Sequence, residues 1–264
     1  MEDVKEKISV IMPAYNEAGY IAGNIEEAVS VLNEFGCPWE LIIVDDGSTD
    51  NTFEILQDLS RKYQGQIIVK KNPFNLGKGR AIKKAFHYAS GDYVVFLDAD
   101  LDLHPSQIRA LFDIMRLNNA DVVIGSKLHP NSIVNYPLER RIMSYAYYLL
   151  VKLLFNLPCH DTQTGLKLFK ADVLRNVLRR ILVKKFAFDL EVLVNACHLG
   201  YRIIEAPIAL SSQRHYGRIG LSSIFTIIWD TGAIFYRMNI LKYYDRIDYH
   251  CRKNILKEFR RMRR

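Results

Sequence analysis

Five short apolar runs, each followed by a stretch of different periodicity, limit what this chain can fold into more than any other feature. Residues 8–13 (ISVIMP), 40–46 (ELIIVDD), 66–71 (QIIVKK), 91–97 (GDYVVFL) and 121–126 (DVVIGS) have the length and β-branched content of strands. Between them lie a helical pattern over 16–35, a segment that Ser48, Thr49 or Asp50 can cap, the stretch GKGRAIKKAFHYA (77–89) and a helix starting near Pro105. Strands that are apolar throughout, rather than alternating, are buried on both faces. Their alternation with helices predicts an α/β fold: a mostly parallel, Rossmann-like sheet with helices on both sides. In such sheets ligands collect beyond the carboxyl ends of the strands. Residues 13–17, 45–48 and 98–102 then share one rim.

That rim is acidic. DADLD (98–102) gathers carboxylates where an apolar strand ends, and a hard divalent cation with oxygen ligands would relieve their repulsion. An EF-hand loop beginning at Asp98 is excluded, because Leu103 stands where Gly is needed and Arg109 where the bidentate Glu belongs. A solvated acidic turn capping the next helix is the plainer alternative. VDDGSTD (44–50) likewise reads either as a turn with a helix cap or as acceptors for the imide, amide and ribose hydroxyl donors of a sugar nucleotide. Lys78 and Arg80, in NLGKGRA (75–81), stand where phosphate would be neutralised. The motif is no P-loop, since the first Gly and final Ser/Thr are missing. No G-x-G-x-x-G follows the first strand, which argues against a dinucleotide oxidoreductase.

Composition bounds the rest. With 264 residues, 49% hydrophobic and 25% charged, the chain fits one large domain with an appendage, divided here as 1–220 and 221–264. Its net charge of +7 is concentrated in residues 246–264, where eight Lys/Arg face two Asp/Glu. A basic tail on a nearly neutral body is not the footprint of a nucleic-acid enzyme. Cys37, Cys159, Cys197 and Cys251 show no C-x-x-C spacing, so neither a disulfide framework nor a zinc site is expected, and a reducing, cytoplasmic setting is. The mixed-charge start, MEDVKEKISV, does not read as a secretory signal. Asp230 and Arg237 interrupt the best candidate for a spanning helix, residues 224–241.

In combination, IMPAYNE (11–17), VDDGSTDNT (44–52), NLGKGRA (75–81), FLDADLD (96–102) and VIGSK (123–127) resemble family 2 glycosyltransferases of the GT-A nucleotide-diphospho-sugar fold. YPLERRIMS (136–144), DTQTGLKLF (161–169) and FAFDLEVL (186–193) are similar to the branch that moves a sugar onto dolichyl or another polyprenyl phosphate. The glucosyltransferases of that branch are nearest, with the mannosyltransferases beside them. The likeness covers residues 8–215.

The resemblance implies roles. Pro13, Tyr15 and Glu17 would line the nucleoside pocket, with Asp45 and Asp46 at its base. Asp98, Asp100 and Asp102 would meet Mg²⁺ or Mn²⁺ bridging the donor diphosphate. Lys78 and Lys127 would neutralise phosphate, Lys127 standing where relatives commonly carry Arg. Arg140, Ser144 and Arg214 match positions that contact acceptor or donor phosphates, and Asp161 and Gln163 would orient the site. Asp100, Asp102, Arg140 and Arg214 form the expected catalytic set. Glu191 is expected to be structural or nucleotide-proximal, and His104, His160 and His215 receive no role. The implied donor is UDP-glucose, with GDP-mannose second, and the acceptor a polyprenyl phosphate. An acceptor phosphate with a second pKa of about 6 is largely dianionic at neutral pH, so inverting transfer needs no general base. Two other readings stay open: a transferase acting on a sugar hydroxyl in glycan or capsule extension, and a degenerate sugar-nucleotide-binding module.

Two segments predict peripheral attachment to the cytoplasmic face of a membrane. Residues 142–157 (IMSYAYYLLVKLLFNL) are apolar and aromatic beside the expected acceptor arginines, or else form a core helix. In the tail, Ile247, Cys251, Ile255 and Phe259 recur every four residues among Lys and Arg. That is an apolar stripe suited to anionic headgroups, or to packing on the body or on a second subunit.

Overall fold

The computed structural model describes residues 6–134, 138–183, 187–210 and 221–246. All five expected strands are present: β1 (Ile8–Ala14), β2 (Trp39–Asp45), β3 (Ile67–Lys71), β4 (Tyr93–Phe96) and β5 (Val122–Ser126). Two more, β6 (Lys167–Lys170) and β7 (Ile203–Pro207), complete a seven-stranded sheet of order β3-β2-β1-β4-β6-β5-β7. β1 pairs in parallel with β2 and with β4, and β5 with β7. β6 runs antiparallel between β4 and β5, so the sheet is mixed at that one place.

Helices cover both faces, as the apolar runs require. One core layer packs α1 (Ile21–Asn33), α2 (Thr52–Lys62) and α4 (Gln107–Leu117) against Val10, Met12, Leu41 and Ile43. The alternate residues of the same strands, Ile11, Ile42 and Val44, face a second layer. That layer draws on α3 (Lys78–Phe86), α5 (Leu138–Phe155), α6 (Ala171–Val177), α7 (Phe188–His198) and α8 (Leu221–Phe235). The period-two alternation of strand side chains thus divides one apolar run between two cores.

Residues 16–20 depart from the expected helix, which begins only at Ile21. Asn16 has φ 56°, and the N–H groups of Glu17 and Ala18 donate to Thr52 Oγ1 (2.8 Å) and Asp50 Oδ2 (3.1 Å). Bonds to the neighbouring rim replace those of a first helical turn. The expected caps of α2 are redistributed as well: Ser48 turns back to Asp45 and Thr49 N–H donates to Asn16 Oδ1, while Asp50 accepts from Thr52 N–H.

After α8 a short π-helical turn (Tyr236–Ile240) leads to Tyr244, whose hydroxyl donates to the buried Glu191 at 2.5 Å. Arg237 Nη2 reaches the same oxygen at 3.2 Å. The second Glu191 oxygen accepts from the N–H groups of Leu182 and Val183, so this side chain ties α7, the strand-free segment before it and the π-helical turn together. Among the described residues no helix is long and apolar enough to cross a membrane. Arg214, His215 and the tail stripe from Ile247 to Phe259 lie outside the described residues.

Candidate active site

β1 connects to β2 on one side, while β4 returns on the other side of β1, which makes the gap between β1 and β4 the topological switch point. A cleft of about 600 Å³ opens there, at the carboxyl ends of the strands. Pro13, Tyr15 and Glu17 line it from β1, Asp46 from β2, Asp98 and Asp100 from β4, and Lys78 from the start of α3. Gln163 and Asp189 close it from the distal half of the chain.

The rim after β2 holds itself together. Asp45 is fully buried, bonded to the Ser48 hydroxyl and 4.0 Å from Lys71 Nζ, and lies behind the cleft rather than on its lining. Asp46 accepts from Asn72 Nδ2 (2.7 Å), Leu76 N–H (3.0 Å) and Gly77 N–H (2.7 Å). These charge-assisted bonds fix the loop that presents Lys78. Gly77, at φ 94°, adopts a conformation that glycine reaches without strain, directly before α3 begins.

The rim after β4 is used differently. Asp98 meets Lys78 Nζ at 2.8 Å, and the same ammonium lies 3.6 Å from Asp189, which in turn bonds the buried Lys167 at 2.7 Å. Desolvation alone would lower the Lys78 pKa, yet Asp189, Asp98 and Asp100 overcome it and hold the ammonium well above its ordinary value. Desolvation would raise the Asp189 carboxyl, and Lys167 with Lys78 reverse that and hold it below its ordinary value. Lys167, the more buried lysine, is depressed by desolvation despite Asp189. Lys78 is thus a cation locked at the mouth of the cleft. Gly165 explains the glycine of DTQTG: a Cβ there would lie inside the Asp98 carboxylate.

Asp98, Asp100 and Asp102 all line a smaller cavity of about 120 Å³ beside the cleft, with Lys127 and Gln163 opposite. Among the described residues, however, no three His, Cys, Asp or Glu side chains are gathered into a group able to hold a metal ion. The three carboxylates expected as ligands therefore do not form a closed set by themselves.

On the far wall, Asp161 accepts from the N–H groups of Lys127 and Gln163, each at 3.1 Å, with Lys127 Nζ at 3.5 Å. Glu205, from β7, holds that loop through the N–H groups of His160 (2.6 Å) and Asp161 (3.0 Å). His160 also bonds Glu205 through its ring, a structural contact, and His104 does the same with Glu27. Arg140 and Ser144 sit one turn apart on α5, outside the lining of either cavity. Tyr147 on the same helix bonds Thr231 at 3.1 Å, linking α5 to α8.

A family model described as Glycosyl transferase family 2 matches residues 9–178, which takes in the first two strands, the NLGKGRA loop, the DADLD rim and β6. The chain belongs to glycosyl transferase family 2. It is an enzyme that transfers a glycosyl group, on a GT-A fold. A dolichyl-phosphate beta-glucosyltransferase of Saccharomyces cerevisiae is 30% identical over 226 residues, 79% of this chain and 68% of that protein. Another dolichyl-phosphate beta-glucosyltransferase, from Trichomonas vaginalis, is 30% identical over 253 residues, 90% of this chain and 76% of that protein. Glucosyl-3-phosphoglycerate synthase of Mycobacterium tuberculosis, solved with Mn²⁺, uridine diphosphate and glucosyl-3-phosphoglycerate, superposes with a TM-score of 0.67. It is 22% identical, over 88% of this chain and 79% of that one.

Sequence reasoning placed Pro13, Tyr15, Glu17, Asp46, Lys78, Asp98, Asp100 and Gln163 at the cleft, and the fold brings them together. It missed Asp189, Lys167 and Gly165. The signal was present in FAFDLE and TGLKLF, because an Asp and a Lys inside otherwise apolar segments need each other when buried. Arg80, expected at phosphate with Lys78, is not on the cleft lining.

Proposed function

We propose that the enzyme moves glucose from UDP-glucose to a polyprenyl phosphate of the dolichyl type, with inversion. The observation that carries this reading is the cleft itself. Its aromatic and acidic end, at Tyr15, Glu17 and Asp46, suits a nucleoside, and its cationic centre at Lys78 suits a diphosphate. α5, which carries the proposed acceptor contacts Arg140 and Ser144, has an exposed apolar side. The two glucosyltransferase relatives, alike over most of their lengths, favour glucose and a dolichyl phosphate acceptor.

A divalent cation fits this donor set. Magnesium is commonly held by one or two carboxylates together with substrate phosphates, so Asp98 and Asp100 suffice once a diphosphate completes the shell. Bound there, Mg²⁺ or Mn²⁺ would neutralise charge on the departing diphosphate. Asp102 lines the same small cavity. Lys78, kept charged by its two aspartates, would bind the diphosphate, and Lys127 would add a second cation from across the small cavity. An acceptor phosphate oxygen forms the bond to the anomeric carbon while the bond from that carbon to the diphosphate oxygen breaks, and the nucleoside diphosphate leaves with the electron pair. Asp161 is committed to Lys127 and Gln163, which disfavours it as the base that a sugar hydroxyl acceptor would need. Arg140 and Ser144, on α5, and Arg214 remain the proposed contacts of the acceptor phosphate.

α5 and α8 supply the lipid side of the proposal. Ile142, Leu149 and Leu153 on α5, and Phe225, Ile228 and Trp229 on α8, are exposed. Residues 221–264 would act with α5 as an interfacial appendage on the cytoplasmic face of a membrane, lying in the headgroup region rather than crossing it.

Offering UDP- and GDP-sugars in turn with dolichyl phosphate tests the reading. A glucosylated lipid monophosphate from UDP-glucose, lost in chelator and restored by Mg²⁺ or Mn²⁺, is the expected result. Transfer from GDP-mannose alone would overturn the donor, and transfer only to a sugar hydroxyl would overturn the acceptor. Co-sedimentation with anionic liposomes, weakened by deletion of 246–264, tests the attachment.

A further inference from the structure

NLGKGRA carries two cations, and the helix separates them. Lys78 and Arg80 are two positions apart on α3, about 200° around a helix of 3.6 residues per turn. Lys78 therefore enters the cleft, while Arg80 faces a different cavity, of about 610 Å³, between α3 and the segment that follows α6. Arg80, Lys83, Lys84 and His87 line one side of it, and Ile181 and Leu182 the other. An adjoining cavity of about 390 Å³ shares Lys83 and His87 and adds Arg175, which is paired with Asp172 at 2.5 Å, and Arg179. No carboxylate lines either cavity among the described residues.

Lys7 and Lys78 are matched by carboxylates, Glu40 and Asp98. The partners of Lys83 and Lys84 are neutral. Lys83 Nζ donates to the Ile181 carbonyl at 2.9 Å, and Lys84 Nζ to the Lys71 carbonyl at 2.5 Å and Asn72 Oδ1 at 3.1 Å. These bonds hold the ammonium groups in place without cancelling their charge. Burial depresses the Lys83 pKa, and Arg80 pushes the same way against Glu191. Cations positioned by carbonyls against an apolar wall, with Glu191 behind that wall and no carboxylate on the lining, are arranged for an anion from outside.

We propose that this cavity is a second anion site, separate from the catalytic cleft, which takes a phosphate group carried beside apolar matter. Arg80, Lys83 and Lys84 supply the charge, His87 a ring on the same lining, and Leu76, Ile181 and Leu182 the apolar surface. A lipid headgroup and a free phosphate share this chemistry. The site does not depend on the identity of the sugar donor or acceptor.

The test follows the His87 ring signals by NMR in the full chain, assigned by their loss in His87→Asn. Inorganic phosphate is titrated in one arm and phosphatidylcholine vesicles containing phosphatidic acid in the other, each with and without UDP. A saturable change in at least one arm, indifferent to UDP and weakened about tenfold or more in Arg80→Gln/Lys83→Gln, is expected, since each charge-assisted bond contributes about 1.5–3 kcal/mol. Saturation by inorganic phosphate identifies a soluble ligand, and saturation only by the phosphatidic acid vesicles a headgroup. Should the double variant lose its circular dichroism spectrum, Arg80→Gln alone, at an exposed position, provides the comparison. No saturable change in either arm, an equal response in the variant, or displacement by UDP would overturn the site.

Discussion

The rim after β2 and the rim after β4 each carry three aspartates, Asp45, Asp46 and Asp50 against Asp98, Asp100 and Asp102. In the first, backbone N–H groups and nearby hydroxyls satisfy the carboxylates: Ser48 for Asp45, the Leu76 and Gly77 amides for Asp46, Thr52 and Ala18 for Asp50. In the second, Asp98 is met by a side-chain cation, Lys78, and all three carboxylates line the small cavity beside the cleft. Equal composition therefore serves two purposes. A carboxylate surrounded by fixed amide donors builds the frame, whereas one facing a lysine and open volume remains able to take a ligand.

Substitutions that remove one charge from each rim should separate these purposes. Asp100→Asn keeps the size and removes the charge, and turnover should fall by roughly 10²–10³-fold with little change in melting temperature, because the lost charge is the one proposed to hold the divalent cation against the departing diphosphate. Retained turnover in excess chelator would contradict that assignment. Gly165→Ala comes next. Its methyl group displaces the Asp98 carboxylate, so activity should drop steeply while overpacking costs about 1–3 kcal/mol, read by urea unfolding and steady-state kinetics together.

Asp46→Asn should show the opposite balance. Replacing an acceptor of three bonds by an amide that can match only some of them should cost about 1–3 kcal/mol of stability, with a smaller kinetic defect caused by a loosened Lys78 loop. A variant as stable as the parent would remove Asp46 from the frame. Asp50→Asn is expected to be the mildest. The Thr52 hydroxyl, with help from the Ala18 and Thr52 amides, outweighs desolvation and holds the Asp50 carboxyl below its ordinary value. A carboxylate depressed in the folded state adds stability that is complete above its unfolded pKa, near 3.9, and is lost as pH falls through the folded value. The gap between Asp50→Asn and the parent should therefore be small at neutral pH and vanish in acid, as followed by denaturant melts at both.

Most of the proximal half of the site was legible because each part is local. Pro13 to Glu17, Asp45 to Ser48 and Asp98 to Asp102 each follow directly on an apolar strand, and a parallel sheet delivers the ends of its strands to one rim. What was not legible depends on distance in the chain or on angle about an axis. Asp189 stands 111 residues from Lys78, and only their meeting at 3.6 Å makes the pair. Arg80 looked equivalent to Lys78 in the motif, but helical rotation turned it to another cavity. Asp45 resembled Asp46, yet strand alternation places neighbouring side chains on opposite sides, one behind the cleft and one on it.

By itself, then, the sequence determined the α/β class, the strands β1 to β5 and the acidic character of the rim, since these follow from periodicity and from the identity of neighbouring residues. Tertiary structure decided the antiparallel insertion of β6 between β4 and β5, which brings Gly165 and Lys167 under Asp98. It also decided that Lys78 stays charged, because burial alone would lower a lysine's pKa and Asp189, Asp98 and Asp100, brought in from two distant segments, reverse that. Side-chain identity fixes which charges a chain carries. Their value inside the protein depends on which counter-charges the fold sets within a few ångströms of them.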